Sequence, residues 1–389
     1  MNLLFIYRRD IHSDDAGASR TIILRENFLA GQQGVTVYTS YHHLSPVDSR
    51  IIELHIDKLS VQEIHTAIIN YGIDVLCVPE GEFLACMAHK AIKGTNCKLV
   101  TELHNKPNYA LNVLFTSIYS SLVYPERLSI KIRALVKLVL YPLWKGWVRY
   151  RDLYRNKQAY ILADKFVLLS ESFKKSFSNY YQVDCDKMVA IPNPRSFQYC
   201  LSEKDFGNKK KTILVVSRLD EGQKRISLII KCWKLIEETY PDWNLVIVGS
   251  GSSEYLYKQM VKRFNLKNVR FEGWQSPEKY YIEASIFLMT SIVEGWGMTI
   301  IEAQQKGCVP IVMDTYSALH DIIENEYNGL IVKNNDIISM AKGIEKLILD
   351  DSYRLKIAQN AVRSTERFSI QNVGQKWLNL YCSLYNVKS

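Results

Sequence analysis

Short runs of apolar residues recur along the chain, separated by longer stretches in which apolar positions return with helical period. In the first half the runs are Leu3–Tyr7, Val35–Thr39, Val75–Val78, Lys98–Glu102 and Lys165–Leu169. In the second half they are Thr212–Val216, Trp243–Val248, Val269–Glu272, Ile286–Met289, Val309–Met313 and Gly329–Val332. Arg225–Glu238 is typical of the intervening segments, with Ile226, Ile229, Ile230, Trp233 and Ile236 on one helical stripe. Strand-like runs alternating with helical patterns predict parallel sheets covered by helices. The polar stretch Leu201–Lys211, ending in three consecutive Lys, is the best linker. The expectation is two βα domains of comparable size, residues 1–200 and 208–367, facing across a cleft where ligands of such sheets bind. No internal repeat or low-complexity tract interrupts the pattern.

Composition narrows the class without naming a function. A chain of 389 residues with 47% hydrophobic and 23% charged residues is globular, which excludes a disordered or fibrous protein. Its eight Cys include no C-x-x-C pair and no His cluster at zinc spacing, and several fall in apolar runs. Free buried thiols in a reducing cytosol are expected. The N-terminus is too short and wrongly ordered for a signal peptide. The charge-free stretch Pro107–Pro125 carries Asn108, Asn112, Thr116 and Ser120 at i, i+4 spacing, which predicts an amphipathic helix and no membrane span.

Three segments carry candidate chemistry. In Thr290–Ala303 a strand ends near Met289, glycines 295 and 297 flank Trp296, and a helix begins near Met298. Glycine lets backbone N–H groups approach a ligand, and a helix N-terminus attracts an anion. Glu294 and Glu302 bracket this turn. A helical spacing of eight residues is about 12 Å, wider than the roughly 5–9.5 Å between paired hydrolytic carboxylates. Two acceptors gripping different hydroxyl-bearing parts of one ligand fit better than an acid–base pair; incidental carboxylates on a capped surface helix are the plainer alternative. Arg218 and Lys224 lie on a second strand–helix turn, where a guanidinium fork and an ammonium can converge on a phosphate. A solvated basic turn remains the alternative there. Val246–Ser252 is a third strand leaving through glycines 249 and 251, without the full G-x-G-x-x-G of nicotinamide-binding proteins.

Together these residues resemble the nucleotide-binding domain of the family-4 retaining glycosyltransferases, which have the two-Rossmann GT-B fold. Glu294–Glu302 matches the family's E-x7-E motif, and Arg218 with Lys224 matches its diphosphate-binding pair. Val269–Trp274 matches the loop that holds the base. The likeness continues through Ala303, Gly307 and Asn328–Leu330. In the first half it touches Ala16–Arg20, Thr101–His104 and Ile191–Pro194, so it spans nearly the whole chain. It implies α/β GT-B architecture, with a C-terminal helix, Phe368–Tyr385, crossing back to the N-terminal domain (residues 368–389 joining 1–200). It also implies a nucleotide-sugar transferase. Glu302 would bind the ribose hydroxyls and Glu294 those of the transferred sugar. Arg218 and Lys224 would neutralise the diphosphate, with the Gly297 helix N-terminus assisting and no metal required. His104 resembles the active-site histidine near the sugar, and Gly17 would approach donor or acceptor. Gly249, Trp274, Gly295, Trp296, Met298 and Thr299 complete the implied donor-contacting set. There are departures: Ala16 stands where the first of two glycines is common, and Arg218 is one residue further from Lys224 than in many members. Asp184-Cys185-Asp186 spells the metal-binding D-x-D of the other transferase fold, but in a polar loop, and is read as surface chemistry.

Charge adds one local feature. The net charge is +9, and Val123–Gln158 alone contributes +7 through nine basic and two acidic residues. Six aromatic residues are interleaved, Tyr124, Tyr141, Trp144, Trp147, Tyr150 and Tyr154. Basic, aromatic and amphipathic together read as a helix pair lying on an anionic membrane surface. A solvated helical face with its other side in the core is the alternative. No nucleic-acid motif accompanies the charge, so no nucleic-acid partner is expected. The whole predicts a cytoplasmic enzyme, peripheral on the membrane face. It moves a hexose from a UDP-sugar co-substrate, with no cofactor, to a lipid-linked glycan hydroxyl. A glycogen- or sucrose-synthase-like enzyme with a soluble acceptor and a non-catalytic sugar-nucleotide binder are the rivals.

Overall fold

The computed structural model describes residues 1–8, 17–40, 48–54, 56, 59–123 and 128–386, and its strands form two fully parallel sheets. The first contains β1 (Asn2–Phe5), β2 (Thr36–Thr39), β3 (Ile51–Glu53), β4 (Val75–Val78), β5 (Lys98–Leu103), β6 (Lys165–Leu168) and β7 (Met188–Ala190). Its spatial order is β3-β2-β1-β4-β5-β6-β7. The second contains β8 (Lys210–Val216), β9 (Asn244–Val248), β10 (Val269–Gly273), β11 (Ala284–Met289), β12 (Val309–Asp314) and β13 (Leu330–Lys333), in the order β10-β9-β8-β11-β12-β13. Each sheet starts at its middle, winds outward one way, then returns and winds the other. The reversal leaves a switch point between β1 and β4, and another between β8 and β11. Ligands of open α/β sheets bind at the carboxyl ends of strands at such points.

Every apolar run expected from the sequence became a strand. The two that pattern reading missed, β3 and β7, are three-residue edge strands. The runs are apolar at consecutive positions because both faces are covered. Along β1, Leu3 and Phe5 pack on one face of the sheet and Leu4 and Ile6 on the other. Each fully buried side chain of this size stabilises by about 1.5–3 kcal/mol.

By internal contact the chain forms two units. Unit 1 is Met1–Pro107, Tyr150–Ser196 and Arg367–Ser389, and unit 2 is Asn108–Arg149 and Phe197–Glu366. The C-terminal helix, Ile370–Asn386, therefore belongs with the first sheet, where Val373, Trp377 and Tyr381 share a core with Leu3, Phe5 and Cys77. One segment departs from the division at residue 200. Asn108–Arg149 groups with the second sheet because the helix Tyr109–Val123 packs closely on the turn at Gly222. A Cβ on Gly222 would lie 2.9 Å from Cα of Ser117.

In unit 2, Ile213, Leu245, Ile286 and Ile311 meet Ile226, Ile229, Ile230 and Trp233 in one core. The amphipathic pattern Arg225–Glu238 is regular helix only over Ile226–Trp233, and continues as turns that still bury Ile236. The expected linker Leu201–Lys211 is corrected too. Glu203–Asn208 is a 3-10 turn, Phe206 sits in the core, and Lys209 donates from Nζ to the carbonyls of Tyr281 and Ala284 at 2.8 Å. Its three lysines look like solvated linker, yet one, the half-buried Lys209, caps backbone carbonyls. Thiol burial holds for Cys77, Cys97, Cys232 and Cys308 but not for Cys86 or Cys185, which are exposed. Among the described residues no helix is long and apolar enough to cross a membrane.

Candidate active site

At the second sheet's switch point, the loops after β8 and β11 bring together most of the charged residues singled out in the sequence. The β8 loop is held by its own backbone. Asp220 O accepts from Gln223 N and Lys224 N, and Asp220 Oδ1 accepts from Gly222 N at 2.9 Å. It is tied to the β11 loop by Ile292 N donating to Gln223 O at 2.8 Å, and by Thr290 Oγ1 donating to the carbonyls of Lys224 and Arg225. The neighbouring β9 loop approaches so closely that a Cβ on Gly249 (φ +135°) would lie 1.9 Å from Ser217 O. Only glycine fits there. Gly249 thus has a packing reason to be glycine.

Arg218 Nη2 donates to Gln223 Oε1 at 2.8 Å, and Gln223 Nε2 donates to Val293 O at 3.2 Å. The buried Gln223 amide therefore fixes both the arginine and the backbone beside Glu294. Lys224 Nζ and Glu294 Oε1 form an ion pair at 2.5 Å, with the two side chains 16% and 14% exposed. A small pocket beside them is lined by Ser217, Lys224, Ser291 and Thr299. Tyr109, from the helix Tyr109–Val123, lies near enough to feel the charges of Arg218, Glu294 and Asp220. Burial raises its hydroxyl pKa, and the charges of Glu294 and Asp220 push the same way.

The helix Met298–Gln305 starts at Gly297, whose φ of +96° only glycine adopts readily. A Cβ there would meet the Tyr316 hydroxyl at 2.5 Å. Glu294 and Gly295 lie in the preceding loop, while Glu302 is in the second turn of the helix. Glu302 is buried and accepts from Tyr281 Oη at 3.1 Å. Trp296 is buried, so its indole is core and not an exposed stacking surface. Thr299 turns inward, donating to Met289 Sδ at 3.9 Å. Met298 is half-buried, and Trp274 is 67% exposed just past β10. No hydrogen bond or ion pair joins either of them to Arg218, Lys224 or Glu294 among the described residues.

His104 and Gly17 belong to unit 1. Gly17 opens the helix Gly17–Ala30, and Ala16 lies outside the described residues. His104 follows β5, and its Nε2 is 3.0 Å from Glu102 Oε2. The same oxygen accepts from Arg25 Nη1 at 2.8 Å, in a pair whose side chains are 3% and 2% exposed. The Arg25 guanidinium lies 4.2 Å from the Trp377 ring centroid and 5.0 Å from that of Phe5. Burial pushes the Glu102 carboxyl up, but the Arg25 charge and the His104 hydrogen bond outweigh it and hold it down at about 2. Glu82, raised by burial, also feels the His104 charge. The surface reading of Asp184 has a partner: it accepts a hydrogen bond from Tyr160.

Gln223, Tyr109, Glu102 and Arg25 were not singled out from the sequence. Gln223 lies between two flagged cations and could have been found by asking what holds them. Tyr109 and Arg25 reach their partners only through tertiary packing.

Two parallel, doubly wound units with clustered ligand-type residues at a switch point are of the GT-B class. Solved structures agree in fold. Anabaena HepE in complex with UDP superposes with a TM-score of 0.70 at 17% identity, over 98% of this chain and 100% of that one. Sucrose-phosphate synthase from Thermosynechococcus elongatus gives 0.73 at 17% identity, over 100% of both chains. Residues 202–364 match the sequence model of the family described as glycosyl transferases group 1. An uncharacterized glycosyltransferase of Haemophilus influenzae is 28% identical over 217 residues, 55% of this chain and 60% of that protein. A Campylobacter jejuni α-1,4-N-acetyl-D-galactosaminyltransferase, named for a diphospho-undecaprenol-linked acceptor, is 25% identical over 232 residues, 59% of this chain and 63% of that protein. The chain thus spans less than two thirds of the length of these curated relatives.

Proposed function

We propose that this protein is a retaining, metal-independent glycosyltransferase that moves a hexose from a UDP-sugar to a hydroxyl of a lipid-linked glycan, working at the cytoplasmic face of a membrane. The observation that carries the reading is the convergence of Arg218, Lys224 and Glu294 on two loops at one switch point, braced by Gln223. Two cations there suit a diphosphate, and a carboxylate suits sugar hydroxyls. UDP is favoured because the HepE complex contains it. The lipid-linked acceptor is favoured by the printed name of the Campylobacter relative.

In the proposed reaction the bond between the sugar's anomeric carbon and the diphosphate oxygen breaks. The acceptor oxygen bonds to that carbon from the same face, and its proton passes to the departing phosphate. Charge grows on the diphosphate as it leaves. Arg218, Lys224 and the Gly297 helix N-terminus offset that charge as fixed groups that need no reorganisation. Glu302 holds the ribose hydroxyls, and Glu294 exchanges its pairing with Lys224 for the sugar hydroxyls. Trp274, Gly295, Met298 and Thr299 line the donor, Gly249 through its loop backbone, and the buried Trp296 supports their loop from the core. For His104 and Gly17, which belong to unit 1, the resemblance alone supports a role in binding sugar, donor or acceptor.

UDP release across a panel of nucleotide sugars and glycan acceptors tests this. One donor is expected to turn over, and Glu302→Ala is expected to reduce that turnover by at least tenfold. Unchanged turnover in the variant would remove the site assignment. Turnover with soluble acceptors alone would remove the lipid-linked one.

A further inference from the structure

The helix Leu128–Val139 and the first turns of Tyr141–Leu162 present apolar side chains that the described residues leave uncovered. In the first of these helices Ala134 alone is fully buried. Leu128 and Val139 are each 72% exposed, Ile132 55% and Leu135 51%. They stand at i, i+4, i+7 and i+11, so at about 100° per residue they form one stripe. Ala134 lies about 130° and the half-buried Leu138 about 90° away around the helix. One apolar side is thus used for packing, and a second, separate apolar side faces water. Leu143, 74% exposed, extends that second side into the next helix.

A helix of this length is marginal by itself in water, and contiguous exposed apolar surface marks an interaction site. Charge says which partner. Lys131, Arg133, Lys137, Lys145 and Arg149 are exposed, and no acidic residue occurs between Leu128 and Arg149. Trp144 and Trp147 pack together at 5.1 Å, with the Lys137 ammonium 5.3 Å from the Trp144 ring centroid. Basic and aromatic side chains bordering an apolar stripe match the headgroup layer of a bilayer. A second copy docked face to face would set five positive charges against five others.

We propose that Leu128–Arg149 is an interfacial membrane anchor. The Leu128–Val139 helix lies in the plane of an anionic bilayer with its stripe at the acyl–headgroup boundary and its lysines and arginines on lipid phosphates. The anchor brings the proposed enzyme to a lipid-linked acceptor, but binding stands apart from turnover, so the two readings can fail separately.

Flotation of the full chain with phosphatidylcholine vesicles, with and without phosphatidylglycerol, tests the anchor. Recovery is expected with the anionic vesicles, falling only partly at high salt because the apolar stripe is insensitive to screening. Combined substitution of Leu128, Ile132, Leu135 and Val139 by Ser is expected to cut recovery more than tenfold. Far-UV circular dichroism on that variant checks that the exposed stripe was removed without unfolding. Wild-type protein that stays unbound, or a folded variant that floats as well as wild type, would overturn the proposal. So would a wild-type dimer that the variant converts to monomer with vesicle recovery unchanged, since the stripe would then belong to a second copy.

Discussion

Two ion pairs in this molecule have nearly the same length and opposite settings. Arg25 and Glu102 in unit 1 are 2.8 Å apart and almost completely buried, beneath the aromatic rings of Phe5 and Trp377. Lys224 and Glu294 in unit 2 are 2.5 Å apart on loops, each with part of its side chain in solvent. The first has no exchange partner within reach of water, so it fixes the group it touches, His104. The second can trade its attraction for a ligand's charges. A buried pair whose partner is lost costs much more than an accessible one. On the proposed function, the contrast separates groups that would orient chemistry from groups that would perform it.

The contrast can be broken most strongly at Glu102. Glu102→Gln leaves the Arg25 charge buried without its counter-ion and is expected to cost about 3–5 kcal/mol of stability, read from urea unfolding. Its pH dependence follows from the same carboxylate, which is held down from 4.5 to about 2 in the folded chain. A depressed carboxylate stabilises above its unfolded pKa, and that stability is lost as pH falls from about 4.5 towards about 2. At about 1.4 kcal/mol per pH unit the loss is about 3 kcal/mol. Acid unfolding of the variant should therefore be shallower than that of wild type across this window. Equal acid profiles would mean that the pair is not the titrating element.

Lys224→Met should show the opposite balance. Stability is expected to fall by less than at Glu102, since this pair keeps some contact with solvent, while donor turnover falls about a hundredfold through loss of fixed charge at the diphosphate. A large loss of stability with unaltered turnover would make this pair as structural as the other one. The smallest effect sharpens the comparison. Gln223→Ala removes the acceptor of the exposed Arg218 and the side-chain donor to Val293 O, the latter at about 1–3 kcal/mol for a buried polar group. Turnover should fall along with stability, since the amide positions both loops.

Much of this was legible in the chain itself. Consecutive apolar positions reveal a strand only when both faces are covered, which is why the central strands stood out and the three-residue edges β3 and β7 did not. The charged pairs after β8 and β11 were legible because strand–helix turns at a switch point leave a short list of candidates. Glu102 was not, since the same letter in a strand reads equally as a solvated residue, and its partner Arg25 arrives from another helix. Tyr109 depended on Asn108–Arg149 folding against unit 2, which no local pattern encodes. The Leu128–Val139 helix was visibly amphipathic, but its pattern cannot say that two separate sides are apolar or which of them packing will cover.

The central claim is that the switch-point loops of unit 2 hold a nucleoside diphosphate. Calorimetric titration of UDP into wild-type protein and into Arg218→Ala, with folding of both checked by thermal unfolding, tests it most directly. Saturable binding by wild type, weakened at least tenfold in the variant, is the expected result. A wild type that binds neither UDP nor another nucleoside diphosphate, or a folded variant that binds UDP as tightly, would contradict the account.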